Sequence, residues 1–125
     1  MIRVTFCEQN GSLTGFELRG HSGYAAAGRD IVCAAVTSAA LMTANTVTEV
    51  LHLPAKAEAT DALIRLQVKP EDAEQVQTLL KGFHLHIKEL AKVYPQNINC
   101  QLQKSTITFR RCNNNAENEH PVTCS

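Results

Sequence analysis

MIRVTFCEQNGSLTGFELRG, residues 1–20, is the stretch on which the fold turns. Ile2, Val4 and Phe6 alternate with Arg3, Thr5 and Cys7. A period of two is the signature of a strand with one face on a core. Asn10-Gly11 follows, a dipeptide that accepts positive φ at both central positions of a tight hairpin turn. Leu13 to Arg19 is the returning strand, with Phe16 and Leu18 on one side and Glu17 and Arg19 on the other. An antiparallel hairpin therefore opens the chain.

Gly20 to Arg29 reads as loop. Asp30 is a good N-cap residue, and the alanine-rich segment behind it favours helix. Ile31, Ala34, Ala35, Ser38, Leu41, Met42, Asn45 and Thr48 fall on one stripe, expected to be buried. Val32, Ala39, Val47 and Val50 are apolar elsewhere, so this helix needs cover on more than one side. Pro54 marks its end. Ala55 to Thr60 and Leu63 to Val68 are two further strands, turning at Asp61-Ala62.

Lys69-Pro70-Glu71-Asp72 has the proline and acids that suit a helix start. Val76, Leu79, Leu80, Phe83, Ile87, Leu90 and Tyr94 then recur at helical spacing, up to Pro95. Ile98 to Gln103 is a fifth strand, which Thr106 to Phe109 could extend. The order β-β-α-β-β-α-β predicts an α+β two-layer sandwich. Its sheet has about five strands, mainly antiparallel, with both helices on one face. Residues 1–110 form the expected domain. Residues 111–125 are a polar tail with no apolar period, expected to be disordered.

At 125 residues and 44% hydrophobic content, one domain with a real core is expected. Lys+Arg and Asp+Glu number 12 each, which gives no bulk charge for holding nucleic acid. There is no tryptophan, and aromatics are 5%, so platforms for stacking bases are scarce. The N-terminus lacks the basic and apolar blocks of a signal peptide. The charge-free run Ile31 to Thr48 carries Thr37, Ser38, Thr43, Asn45 and Thr46, polar groups that are costly in lipid. No membrane association is expected. Five cysteines without a CxxC pair fit reduced thiols in a cytoplasm better than a disulfide framework.

The segment GHSGYAAAGRDIVCAAVTS, residues 20–38, holds the candidate chemistry. A cysteine attacks as thiolate, and a helix N-terminus lowers a thiol's pKa from about 8.5. Cys33 lies three residues after Asp30, hence in the expected first turn, whose unpaired N–H groups could also hold an oxyanion. His21, at the end of a strand, could take the thiol proton and return it to a leaving group. Asp30 could cap the helix, orient His21, or do both. Gly23 and Gly28 bracket small residues, which suits a mobile cover over a cleft. A cysteine in an alanine-rich helix equally suits plain core packing, and the spacing alone does not separate the two.

Taken whole, the segment resembles the signature of the ribosomal-processing cysteine proteases called Prp. Their pattern is roughly Gly-His-Ala/Ser, a short glycine-containing loop, then Gly-x-Asp-Ile-Val-Cys-Ala-Ala-Val-Ser. Gly20, His21, Gly28, Asp30, Ile31, Val32, Cys33, Ala34, Ala35 and Val36 match. Thr37 stands where the family usually has serine, and keeps the hydroxyl. The resemblance spans about residues 1–104 in element order and is specific only in this segment.

The resemblance implies a cytoplasmic, homodimeric cysteine endopeptidase. It would remove a short N-terminal extension from the precursor of large-ribosomal-subunit protein L twenty-seven. Cys33 would be the nucleophile and His21 the general base. Asp30 and Thr37 would support them, with Gly20, Gly23 and Gly28 in the substrate loop. No metal or organic cofactor is expected. The apolar first helix predicts a homodimer through that helix.

The other titratable residues have plainer readings. His84 and His86 face apart on a helix and are expected at the surface. His52 suits a helix C-terminus. Cys7 and Cys100 are packing residues in strands. Two other functions fit the same segment: a peptide-binding module that does not cut, and a thiol sensor using Cys33 alone.

Overall fold

The computed structural model describes residues 1–20, 27–60, 63–105 and 123–124. β1 (Ile2–Gln9) and β2 (Ser12–Arg19) form the opening hairpin. Asn10 and Gly11 turn it with φ of 53° and 86°, the left-handed pair that the dipeptide predicts. α1 (Ala27–Asn45) follows, and a single π turn, Thr46–Val50, closes it. β3 (Ala55–Ala59) pairs antiparallel with β4 (Leu63–Val68), and Asp61-Ala62 between them lies outside the described residues. A 3₁₀ turn at Pro70–Asp72 leads into α2 (Ala73–Val93), after which β5 (Ile98–Ser105) completes the domain.

The strand order is β3-β4-β2-β1-β5-β6. The sheet is mixed. β5 runs parallel to β1, Val4 facing Cys100 and Phe6 facing Leu102, while the other pairings are antiparallel. The cause is α2, which carries the chain back along the sheet so that β5 starts at the same end as β1. β6 (Thr123–Cys124) pairs with Leu102 and Gln103 of β5. Those two residues of the expected tail thus lie on the sheet edge. The rest of it, and Thr106 to Phe109, lie outside the described residues.

The core lies between the sheet and both helices. Ile2, Val4, Phe6, Phe16, Leu18, Ile64, Leu66 and Val68 face it from the strands. Val76, Leu80, Phe83 and Ile87 meet them from α2, the stripe that helical spacing predicts. Phe83 packs against Phe6 and Phe16, with ring centroids 5.3 and 4.8 Å away. From α1 the inward residues are Val32, Val36, Ala40, Thr43 and Ala44, and from the π turn Val47.

That last set corrects the expected stripe. Ile31, Ala34, Ser38, Leu41, Met42 and Asn45 are exposed in the single chain. A helix apolar nearly all round gives no phase by which its inner face can be chosen. Its stretch Ile31–Val50 is long and apolar enough for a membrane span by length and composition alone. Here Val32, Val36 and Val47 fill the core.

β1 and β2 are not perfectly regular. A bulge between Cys7 and Glu8 shifts the register, so that Cys7 faces Gly15 and Glu8 faces Leu13. The Gln77 side chain secures the displaced backbone. Its Oε1 accepts from the Leu13 N–H at 3.0 Å, and its Nε2 donates to the Leu13 carbonyl at 2.6 Å. Beyond the bulge, a Cβ at Gly15 would overlap the Leu66 carbonyl oxygen and sit 2.8 Å from Gln67 Oε1. Gly15→Ala should therefore cost about 3 kcal/mol, the scale of an overpacked backbone contact. By contrast a Cβ at Gly82, in α2, meets nothing within 4 Å. Gly82→Ala should raise stability by about 0.5–1 kcal/mol, since glycine costs that much in a helix. Urea unfolding midpoints of the two variants check both signs.

Candidate active site

The site is built where β2 ends and α1 begins. Gly20 has φ of +84°, and a Cβ there would lie 2.8 Å from the Met1 carbonyl oxygen. Both facts require glycine, and they fix how the chain leaves the sheet. His21 comes next in sequence. His21 and Gly23 lie outside the described residues, as does the rest of 21–26.

The helix begins at Ala27, three residues before the expected cap. Alanine is the best helix former, and it draws Gly28 and Arg29 into the first turn. Asp30 is thus inside the helix rather than its N-cap. Cys33 is the seventh helical residue and belongs to the second turn. Within α1 the N–H groups without helical partners are those of residues 27–29. In the helical pattern the Cys33 N–H is directed to the Arg29 carbonyl. Any oxyanion donors from this helix end therefore come from the turn before the cysteine.

Cys33 is half-buried against the core. Thr37, four residues on, is half-buried directly above it on the same flank. Val32 and Val36 lie beneath, and Ile31 and Ala34 are outside. The opposite flank of α1 faces α2. There Ala39, Met42 and Thr43 join Thr78, Leu79, Phe83 and His86 around a groove of about 330 Å³. Sequence periodicity did not reveal this groove, because its residues come from two helices whose relative placement is set by the sheet. Among the described residues, no three His, Cys, Asp or Glu side chains gather as a metal site.

The remaining candidates separate clearly. His52, just past the π turn, has φ of 56°, a left-handed residue at the helix end. His86 is exposed, but His84 is not the surface residue expected. Its ring lies 4.4 Å from that of Phe6 at 37°. Burial lowers its pKa, Lys88 lowers it further, and Glu8 opposes them. Cys7 is buried and Cys100 half-buried, as expected of packing cysteines.

Burial pushes the Cys100 thiol up to about 11, against a smaller opposite pull from Lys88. Below that value the thiolate is the minority form, so its modification should be base-limited. Iodoacetamide labelling of Cys100, followed by peptide mass, should be slow at pH 8. It should accelerate about tenfold per pH unit, since only the thiolate reacts. A rate that levels off by about pH 9 would contradict the assignment, because it would mark a thiol near its ordinary value.

Comparison with known proteins bears on what this arrangement is for. The sequence profile of a family described as Cysteine protease Prp matches residues 1–99. Among solved structures, SMU.848 from Streptococcus mutans is 28% identical, with a TM-score of 0.71 over 84% of this chain and 96% of that one. The ribosomal processing protease Prp from S. aureus, solved with a substrate peptide, is 18% identical. Its TM-score is 0.74 over 82% of this chain and 100% of that one. The same protease with a covalently linked product peptide is 19% identical, with a TM-score of 0.71 over the same shares. At 18–19% identity these two structures establish the shared fold. No match was found among curated proteins.

Proposed function

The chain belongs to the family of the cysteine protease Prp, and from that membership we propose that it processes a ribosomal protein, with Cys33 as nucleophile and His21 as its base. The substrate in this reading is the precursor of large-ribosomal-subunit protein L twenty-seven, shortened at its N-terminus in the cytoplasm. The observation that carries it is the position of Cys33. It is half-buried on the α1 flank, and only residues 21–26 separate Gly20 from the start of that helix.

In this mechanism the Cys33 thiol gives its proton to His21, and the sulfur attacks the scissile carbonyl. The oxyanion is held by N–H groups of the helix end. His21 passes the proton to the departing amine, and water then hydrolyses the thioester. Asp30 and Thr37 support the pair, while Gly20 and Gly23 shape the loop that closes over the peptide; Gly28, expected in that loop, stands in the first turn of α1 instead. None of these steps calls for a metal or an organic cofactor, for nucleic acid or for a membrane.

The test is cleavage of the extended precursor, followed by mass. Wild type should remove the extension. Cys33→Ala and His21→Ala should each lose at least about a thousandfold in kcat/KM, as when one member of a nucleophile–base pair is removed. A peptide-binding module would leave the precursor whole with every variant. A thiol sensor would be indifferent to His21→Ala.

The reading includes a homodimer through α1. What supports it is the uncovered face of that helix, where Ile31 is 65% and Met42 58% exposed, with Leu41 beside them. Exposed apolar patches of this kind mark interaction sites. Met42→Glu should convert a dimer to monomer in sedimentation velocity, without lowering the thermal unfolding temperature of the monomer. A wild-type protein that sediments as a monomer at high concentration would remove this part of the reading.

A further inference from the structure

Both helices pack on one face of the sheet, and among the described residues no element lies over the other. Successive rows on that outer face differ in burial. Arg3 and Arg19, paired in register, are exposed, and Thr5 and Glu17 in the next row are half-buried. Such values suit a solvated face. The third row joins Gln67 of β4, Gly15 of β2, Cys7 of β1 and Gln103 of β5. Gln67 and Gln103 are each 3% exposed and Cys7 5%, and Gln9, one step beyond on the same face, is 6% exposed. Glutamines are mostly exposed residues, and a bare sheet face does not bury three of them. Gln9 Oε1 and Gln103 Oε1 are buried and accept no hydrogen bond among the described residues. The burial belongs to the single chain, so the chain itself supplies the cover.

We propose that residues 106–122 are the occupant, a third layer docked across the outer face on Gln9, Cys7, Gln103 and Gln67. Position in the fold selects this segment. Residues 21–26 follow Gly20, and residues 61–62 precede Leu63, which pairs with Arg19. Both therefore leave from the opposite end of the sheet, where the outer face is exposed. Residues 106–122 depart from Ser105, which faces Gln9, and return at Thr123, which faces Gln103. Both anchor points adjoin the buried row. The crossing from β5 to β4 is three strand spacings, about 14 Å. At about 3.3 Å per extended residue the segment can span that distance and come back. Its polar composition meets a polar surface, and its backbone N–H groups are the donors that the two glutamine oxygens need. Ile107 and Phe109, the first apolar residues after β5, supply the contact with Cys7. The outer face is thereby closed to other partners, and the proposal stands apart from the protease reading.

The experiment labels the full chain with iodoacetamide at pH 8 and reads Cys7 and Cys100 separately by peptide mass. Cys7 lies under the proposed layer, whereas Cys100 lies on the helix side and reports opening of the domain as a whole. The double variant Ile107→Asp, Phe109→Asp should speed Cys7 labelling about tenfold or more and leave Cys100 within about twofold of wild type, as local release of one segment requires. Hydrogen exchange of the wild-type chain should show protected amides within residues 106–122. If Cys7 labelling in the variant stays within about twofold of wild type, the assignment is overturned. Exchange of every amide in 106–122 at coil rates overturns it as well. If Cys7 and Cys100 both accelerate in the variant, the wild-type exchange decides: protection supports the layer, and coil rates remove it.

Discussion

Three phenylalanine rings set the arrangement of this fold. Phe6 of β1, Phe16 of β2 and Phe83 of α2 meet at centroid separations of 4.8 to 6.3 Å. Each such pair adds about 0.5–1.5 kcal/mol beyond the area it buries. The cluster seats α2 over the middle of the sheet, and the Gln77 clamp on the bulged Leu13 backbone holds it in register. With the centre taken, α1 is left the half over β4. Its cysteine flank then faces outward from α2, on the β3 side of the sheet. The position of the candidate nucleophile thus follows from where the aromatic residues place the other helix.

α1 answers to three surfaces at once. Its valines meet the sheet, Ala39 and Thr43 meet α2, and Ile31, Leu41 and Met42 stay exposed in the single chain. Burying one large apolar side chain is worth about 1.5–3 kcal/mol. Across a two-fold axis both copies contribute, so six such side chains supply roughly 9–18 kcal/mol before costs. Association itself costs about 4–15 kcal/mol. The α1 face alone therefore sits near the margin. A stable pair would also draw on the neighbouring α2 residues, among which Leu85 is exposed.

Much of this was legible in the sequence, and the misses share a physical origin. Asn10-Gly11 announced the hairpin because a two-residue turn of that twist needs two left-handed residues. The alternation in residues 2–6 and 63–68, and the amphipathic spacing from Val76 to Ile87, likewise led to the observed core. The inner face of α1 was not legible, since apolar residues on all sides leave no phase to read. The start of α1 was placed late because Asp30 looked like a cap, while the intrinsic propensity of Ala27 carried the helix further back. The parallel pairing of β5 with β1 depends on how α2 crosses the sheet, which no local pattern encodes. His84 was assigned to the surface from its spacing to His86, though Phe6 covers its ring.

The earlier start of α1 also changes where the site's chemistry originates. A helix end acts on charge within about its first turn, and Cys33 stands in the second. A cysteine at the cap would have a donor in its own N–H and the full effect of the helix end. One turn further in, that N–H belongs to the helix ladder, and the free donors within α1 are those of residues 27–29. In the proposed mechanism this divides the labour. The helix end serves the developing oxyanion, and the proton transfer falls to His21, delivered by the left-handed Gly20 at the strand's end. Glycine is required at position 20 on steric grounds, because any side chain there would press on the Met1 carbonyl where the chain leaves the sheet.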